Sequence, residues 1–290
     1  MCLFAFHGDA RRLYHFCSQG SERQRMNIFY FIGLVLSIAF ILMGMLGFPQ
    51  LDMSKLMNFV DGPSAMIVVG CTIGVLIASV PFSTLKCLPK HFGIVLNTKK
   101  FQPAIYIDKL TELANKARKD GLLSLEGMAA EESDPFLKQA IMLLVDGSDA
   151  DRVREVLMND IEQMSARHDA GAAMYEKGSA LAPAFGMVGT LCGLINMCKG
   201  LSGDSSNIGN DMGVAMITTL YGCIVAHMIF GPLASHLRAQ DEQECLCKLI
   251  VVEGITGIQA GENPKFLRER LLTFVSQKSR EATGKDKGGE

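Results

Sequence analysis

Hydroxyl-bearing and small side chains occur together in two apolar stretches in the second half of the chain. The first stretch contains Gly189 and Thr190, and the second contains Thr218, Thr219 and Tyr221. Small residues let membrane helices approach closely, and hydroxyl groups form hydrogen bonds between such helices. Hydroxyl oxygens are also the hard donors that a cation such as sodium prefers. These residues therefore predict either tight helix packing or the lining of an ion path.

No acidic side chain accompanies these hydroxyl groups. The two stretches, roughly 178–198 and 212–235, contain no Asp or Glu. An ion path through a membrane usually needs a buried carboxylate to hold the cation. If this protein conducts ions by binding them, the carboxylate must come from another chain, so the sequence predicts a membrane partner.

Two prolines, Pro183 and Pro232, lie near one end of these stretches. Proline removes a backbone N–H donor and bends a helix. The residues predict either static kinks or hinges that transmit movement from the ion path to the rest of the protein.

Motifs of soluble enzymes are absent from the sequence. There is no GxxxxGK[ST], no HExxH, no GxSxG and no GxGxxG after a predicted strand. The nine cysteines include no CxxC pair, and nothing near Cys245 and Cys247 completes a zinc site. We therefore expect a protein that is not an enzyme, needs no cofactor or metal, and keeps its cysteines reduced.

Four apolar stretches provide the elements that would position these groups. Hydrophobic residues make up 49 % of the 290 residues, and the mean hydropathy is +0.23. A helix needs ~20 residues to cross a bilayer core of ~30 Å. We therefore predict four transmembrane helices, at roughly Ile28–Phe48, Ser64–Leu85, Gly178–Cys198 and Met212–Ser235.

The distribution of Lys and Arg predicts the orientation of these spans. Segment 86–177 contains thirteen Lys and Arg residues and segment 236–290 contains nine, whereas loops 49–63 and 199–211 contain one each. Both long segments and both termini should therefore be cytoplasmic, in a multi-pass protein of the inner membrane. The net charge of −2 argues against a nucleic-acid partner.

The soluble segments have helical periodicity and no convincing strand, so the predicted class is all-α, with a helical cytoplasmic domain. Helices are expected over Ala104–Arg118, from Asp134-Pro135 to Asp146-Gly147, and from Asp149 or Asp151 into the third span. The predicted organisation is a basic extension 1–25 (an upstream-start artefact or an orienting arm), a hairpin 26–85, a cytoplasmic domain 86–177, a second hairpin 178–235, C-terminal helices 236–277 and a disordered tail 278–290.

Four motifs in order resemble the MotA/PomA/MotP family of flagellar motor stator subunits. Ala182–Gly193 resembles the third-span motif, and Ala215–Gly222, followed by Pro232, resembles the fourth-span motif. Ala117–Glu126 resembles the segment that faces the rotor, and Gly257–Pro264 resembles the C-terminal signature. The resemblance extends from about Met26 to Ser276.

The resemblance implies a homopentamer of four-span chains around a dimer of a MotB-type protein, which supplies the ion-binding aspartate. Ion flow, of Na+ or H+, would rotate the pentamer against the rotor protein FliG. The charged residues that engage the rotor would be Arg118 and Glu126, with Lys119 beside them. Without the resemblance, these three would be ordinary solvated charges.

Sodium-type members resemble this chain at Gly189-Thr190, whereas many proton-type members have Ala in place of the threonine. The sequence therefore favours sodium. The related ExbB/TolQ class remains an alternative, although its members have three spans and lack the first hairpin. A non-conducting membrane scaffold is a further alternative, which the hydroxyl groups and prolines disfavour.

Overall fold

The computed structural model describes residues 26–46, 53–85, 93, 101–201 and 207–275. All regular structure in these ranges is helical, which confirms the predicted all-α class. The predicted extension 1–25 and tail 278–290 lie outside the described residues. The helices are α1 (Met26–Leu46), α2 (Met53–Met57), α3 (Gly62–Ser79), α4 (Phe82–Leu85), α5 (Pro103–Asp120), α6 (Glu126–Glu131), α7 (Pro135–Val145), α8 (Ala150–Gly200), α9 (Ile208–Gln259) and α10 (Pro264–Leu272).

The described residues form two compact units. The first, which we call the polar unit, contains residues 101–168 and 239–275. The second, the apolar unit, contains the described residues between 26 and 93 together with 169–238. Helices α8 and α9 contribute residues to both units, because each continues without a break across the boundary.

Local capping interactions determine where the helices of the polar unit begin and end. Asp134 Oδ1 accepts a hydrogen bond of 3.0 Å from the N–H of Phe136, and Asn263 Oδ1 accepts one of 3.1 Å from Lys265. In both places a proline occupies the first helical position, where its missing donor costs nothing. Gly121 ends α5 with a φ of 83°, which favours glycine.

One apolar core holds the polar unit together, with side chains from all six helices α5 to α10. Burying an aliphatic side chain of this kind contributes roughly 1.5–3 kcal/mol. Helices α5 and α9 meet closely, since a Cβ at Gly254 would lie 2.6 Å from Leu110 Cδ1. Fully buried examples are Leu110, Leu137, Leu157, Ile250 and Leu267.

The apolar unit has the composition of a membrane domain. Within the described ranges, three helices are long and apolar enough to cross a membrane: α3, α8 and α9. Helix α1 has 21 residues, Met26–Leu46, and none of them is charged. Large apolar side chains face outward, including Val35 (62 % exposed), Met66 (77 %) and Met187 (64 %). Such a surface indicates contact with lipid or with other membrane chains.

Both prolines of interest lie within long helices, but their surroundings differ. Helix α8 stays α-helical through Pro183. In α9, a wider π-helical turn, Val225–Phe230, immediately precedes Gly231 and Pro232. A second π-helical turn, Met66–Gly70, lies in α3. Such turns are rare and are often found at functional sites.

Candidate functional site

Four glycines allow α8 and α9 to approach closely in the apolar unit. A Cβ at Gly222 would lie 2.8 Å from the carbonyl oxygen of Ala182, and one at Gly193 would lie 2.6 Å from that of Asp211. Backbone atoms cannot rotate away from such a contact, so these positions require glycine. We call this contact the glycine seam; its glycines are Gly186, Gly189, Gly193 and Gly222.

A group of four oxygens lies on the glycine seam. Thr190 Oγ1 is 3.0 Å from the carbonyl oxygens of both Gly186 and Ala215. The same atom is 2.5 Å from Thr219 Oγ1, which lies 3.3 Å from the Ala215 oxygen. Each threonine hydroxyl has one proton and two lone pairs, so the two hydroxyl oxygens retain lone pairs that could face a cation. We call this group the oxygen cluster.

Thr218 and Gly189 have a different environment from Thr190. Thr218 is fully buried, and its hydroxyl lies 3.0 Å from the carbonyl oxygens of Val214 and Ala215 in its own helix. A Cβ at Gly189 would lie 2.5 Å from Thr218 Cγ2. These two residues pack against each other within the seam, and their role in ion transport remains a prediction.

Tyr221 reaches away from the oxygen cluster toward the first hairpin. Its hydroxyl donates to the carbonyl oxygen of Phe59 at 2.5 Å and accepts from the N–H of Asp61 at 3.1 Å. The phenol therefore contacts the turn between α2 and α3. Its predicted place in the ion path has no direct support in this geometry.

The seam continues toward Pro183 and Pro232, the predicted coupling residues. A Cβ at Gly222 would lie 3.2 Å from Pro183 Cα, so this proline borders the seam. Ser179 Oγ donates to the Ala226 carbonyl oxygen at 3.0 Å, inside the π-helical turn that precedes Pro232. Sequence analysis missed Ser179, although its hydroxyl in the predicted third span was a visible signal.

The three predicted rotor-contact residues flank one turn of the polar unit. Arg118 and Lys119 lie in the last turn of α5, and Glu126 begins α6; all three are exposed. In the turn between them, Ser124 Oγ donates a hydrogen bond to the Gly121 carbonyl oxygen at 2.7 Å. We call Arg118, Lys119 and Glu126 the charged patch.

An ion pair connects α8 and α9 in the polar unit. His168 Nδ1 lies 2.7 Å from Asp241 Oδ1, and Ser165 Oγ donates to Asp241 Oδ2 at 2.7 Å. The hydrogen bond to Asp241 raises the pKa of His168 above its ordinary value, although burial acts in the opposite direction. The pair is a candidate for pH-dependent stability.

In the parts of the chain that the structure describes, no group of three or more His, Cys, Asp or Glu side chains could hold a metal ion. Cys245 and Cys247 are both buried. Burial raises the pKa of the Cys247 thiol well above its ordinary value, which favours the unreactive protonated form. These two cysteines are core residues of the polar unit.

Comparison with protein-family models matches residues 128–247 to the MotA/TolQ/ExbB proton channel family. The chain is 38 % identical over 232 residues to motility protein A of Borreliella burgdorferi, covering 80 % of this chain and 89 % of that protein. It is 36 % identical over 255 residues to chemotaxis protein PomA of Vibrio alginolyticus, covering 88 % and 98 %.

Two solved structures have a similar fold. The structure of C. jejuni MotAB superposes with a TM-score of 0.78 at 27 % identity, covering 86 % of this chain and 95 % of the matched chain. The flagellar MotAB stator complex from Bacillus subtilis also gives a TM-score of 0.78 at 27 % identity, covering 87 % and 97 %. Both matches therefore include most of this chain and nearly all of the matched chain.

Proposed function

This chain belongs to the MotA/PomA group of flagellar motor stator subunits in the MotA/TolQ/ExbB family, and we propose that it couples sodium flow to rotation. Its apolar helices and its relatives make it a protein of the inner membrane. The matching family is described as a proton channel family, which supports a role other than that of an enzyme. We propose no cofactor for this protein, only a transported ion.

The oxygen cluster is the observation that supports sodium. Hydroxyl and carbonyl oxygens are hard, neutral ligands of the kind that alkali and alkaline-earth cations prefer. Thr190 and Thr219 offer such oxygens next to the carbonyl groups of Gly186 and Ala215. A threonine hydroxyl does not titrate near neutral pH, so this group suits a metal cation better than a proton relay.

A partner must supply the negative charge for the cation. The four predicted spans contain no Asp or Glu, and the similar structures from C. jejuni and B. subtilis are MotAB complexes. We therefore propose that a MotB-type subunit contributes an aspartate beside the oxygen cluster. The cation would then have a carboxylate from one chain and neutral oxygens from the other.

The proposed topology has four spans, in hairpins 26–85 and 178–235, with both termini in the cytoplasm. Segments 86–177 and 236–277 would form the cytoplasmic domain, where most Lys and Arg residues lie. Helices α3, α8 and α9 are each apolar enough to cross. The first span is proposed from the 21 residues of α1.

The charged patch would engage the rotor protein FliG, in a homopentamer of this chain around the partner. Arg118, Lys119 and Glu126 present both signs of charge on an exposed turn. Electrostatic complementarity of this kind favours fast and specific transient contact. This assignment rests on the resemblance of Ala117–Glu126 to the rotor-facing segment.

A proton-driven stator is the second candidate, because the matching family is described as a proton channel family. In that case the partner's aspartate would bind the proton, and Thr190 would serve packing alone. An energising subunit of the ExbB/TolQ kind is disfavoured, since the hairpin proposed for 26–85 would be additional to the three spans of that class.

Ion flux in liposomes tests the proposal. The full chain would be reconstituted with its MotB-type partner, and sodium entry driven by a membrane potential would be recorded with a sodium-sensitive dye. The matched control is the partner with its span aspartate changed to Asn. We expect sodium flux that this change abolishes; flux of protons alone would support the second candidate, and absence of any flux would contradict both.

A further inference from the structure

The hydroxyl of Tyr221 connects two parts of the apolar unit that are far apart in the sequence. It donates to the carbonyl oxygen of Phe59 at 2.5 Å and accepts from the N–H of Asp61 at 3.1 Å. Both partners are backbone groups of the turn that precedes α3. A phenol has one proton, and here that proton is already used.

The turn that Tyr221 contacts is also the start of α3. Asp61 is the N-cap residue of that helix, and its Oδ2 accepts from the N–H of Ser64 at 2.8 Å. The same carboxylate oxygen accepts a hydrogen bond from the Ser64 hydroxyl. The position of the phenol is therefore coupled to the capped end of α3.

Beyond this turn, α3 has one buried stripe at helical spacing. Ser64 and Val68 are fully buried, Thr72 is 1 % exposed and Leu76 is 8 % exposed. The first turns of α3 pack against the Ile208–Ile224 part of α9. The hydrogen bonds of Tyr221 therefore lie at the end of an existing helix–helix contact.

Residues adjacent to Tyr221 belong to the glycine seam. Thr219, two residues earlier, is part of the oxygen cluster with Thr190. Gly222, the next residue, is in close contact with Ala182 of α8. A single turn of α9 therefore contacts α8 on the ion path and the turn of the first hairpin.

We propose that Tyr221 is a positioning residue that clamps the turn between α2 and α3 onto α9, and that it is not a ligand of the transported ion. The clamp would make the first hairpin move together with α8 and α9 when the stator works. This proposal replaces the predicted place of Tyr221 in the ion path. Its test by motor speed rests on the proposed stator function, whereas its test by amide hydrogen exchange does not.

The test uses Tyr221→Phe, which keeps the ring and removes only the hydroxyl. Amide hydrogen exchange would be measured on the complex of the full chain with its MotB-type partner. The Asp61 amide should be protected in the wild type and should exchange about fivefold faster in the variant, as expected for loss of one hydrogen bond. An unprotected Asp61 amide in the wild type would overturn the proposal whatever the variant does.

Motor speed then separates a clamp from an ion ligand. With the Tyr221→Phe chain we expect a lower maximal speed at high load and an unchanged sodium concentration for half-maximal speed. Thr190→Val is the matched comparison, since it should change the half-maximal concentration and leave Asp61 exchange unchanged. The clamp would be overturned if Tyr221→Phe shifted the sodium concentration for half-maximal speed, or if it left the exchange rate of the Asp61 amide unchanged. Failure of the wild-type motor to rotate would instead contradict the stator function.

Discussion

Thr190 and Thr218 show how two identical side chains in neighbouring spans have different environments. Thr190 directs its hydroxyl between helices, toward Thr219 and the carbonyl oxygen of Ala215. Thr218 is fully buried and bonds within its own helix. From sequence both were equal candidates for the ion path, because the face each presents depends on how the two helices cross.

Replacing each threonine by the isosteric valine tests this difference. Thr190→Val removes one hydroxyl from the oxygen cluster. Because the lost contact should be about as strong as one hydrogen bond, the sodium concentration for half-maximal motor speed should rise about fivefold. Thr218→Val is the matched control, and it should leave that concentration within about twofold. Equal shifts in both variants would contradict the proposed role of Thr190.

The pair His168–Asp241 predicts a pH-dependent contribution to stability. Its hydrogen bond raises the pKa of His168 in the folded protein above the ordinary 6.5. A raised pKa means that the folded state binds the proton more tightly than the unfolded state. The stabilisation is therefore complete below the unfolded value and is lost as the pH rises through the folded value.

Thermal unfolding of the full chain in detergent measures this contribution. The Tm of the wild type should be higher than that of His168→Gln, and this difference in Tm should be larger at pH 5.5 than at pH 9. The side chain is 41 % exposed, so solvent screening keeps the difference small. Asp241→Asn should reduce the same pH dependence, and a margin that grows with pH would contradict the assignment.

At the scale of the helices, the glycine seam determines how closely α8 and α9 pack. The sequence predicted tight helix packing as one of two interpretations of the small residues in the third and fourth spans. The structure adds which of them are indispensable: a Cβ at Gly222 would meet backbone, 2.8 Å from the Ala182 oxygen. Close backbone approach is the usual basis of helix association in membranes.

Gly222→Ala should therefore destabilise the protein. Overpacking at a tight contact typically costs about 1–3 kcal/mol, which exceeds the gain of up to ~1 kcal/mol in helix propensity. We expect a lower Tm for the chain in detergent. Gly74→Ala is the matched control in α3, because its Cβ would meet no atom within 4 Å; a Tm equal to or above the wild type is expected there. Equal losses in both variants would show that the seam is not the cause.

Helix ends were predictable from sequence because their causes are local. The helix start at Asp134-Pro135 was predicted and has the expected cap, and Asn263 before Pro264 and Gly121 after α5 have local causes of the same kind. The continuity of α8 into the third span was also predictable, since no strong helix breaker intervenes.

Other features could not be predicted, because they depend on contacts distant in sequence or on small changes in helix geometry. The π-helical turns, Met66–Gly70 and Val225–Phe230, differ from an α-helix by one residue in a turn, which periodicity does not resolve. The hydrogen bonds of Tyr221 join it to residues about 160 positions away. The residue types alone do not predict which of these distant residues form hydrogen bonds with each other.

For the whole molecule, the charged patch should affect torque without affecting assembly. Arg118→Glu would bring like charges together at the rotor, and such juxtaposition costs up to several kcal/mol. We expect reduced torque at high load, with normal recovery of the complex with the partner. Arg167→Glu, the same charge reversal at an exposed position of α8, is the matched control and should leave torque unchanged. Loss of assembly in Arg118→Glu, or equal loss of torque in both variants, would contradict the rotor assignment.

Dependence of motor speed on sodium tests the central proposal most directly. The chain would be expressed with its MotB-type partner in a flagellated strain without stators, and sodium would be varied at fixed pH and membrane potential. A sodium-driven stator predicts speed that rises with sodium and saturates. Speed that is indifferent to sodium but changes with pH would contradict sodium coupling, and no rotation by a fully assembled complex would contradict the proposed coupling of ion flow to rotation.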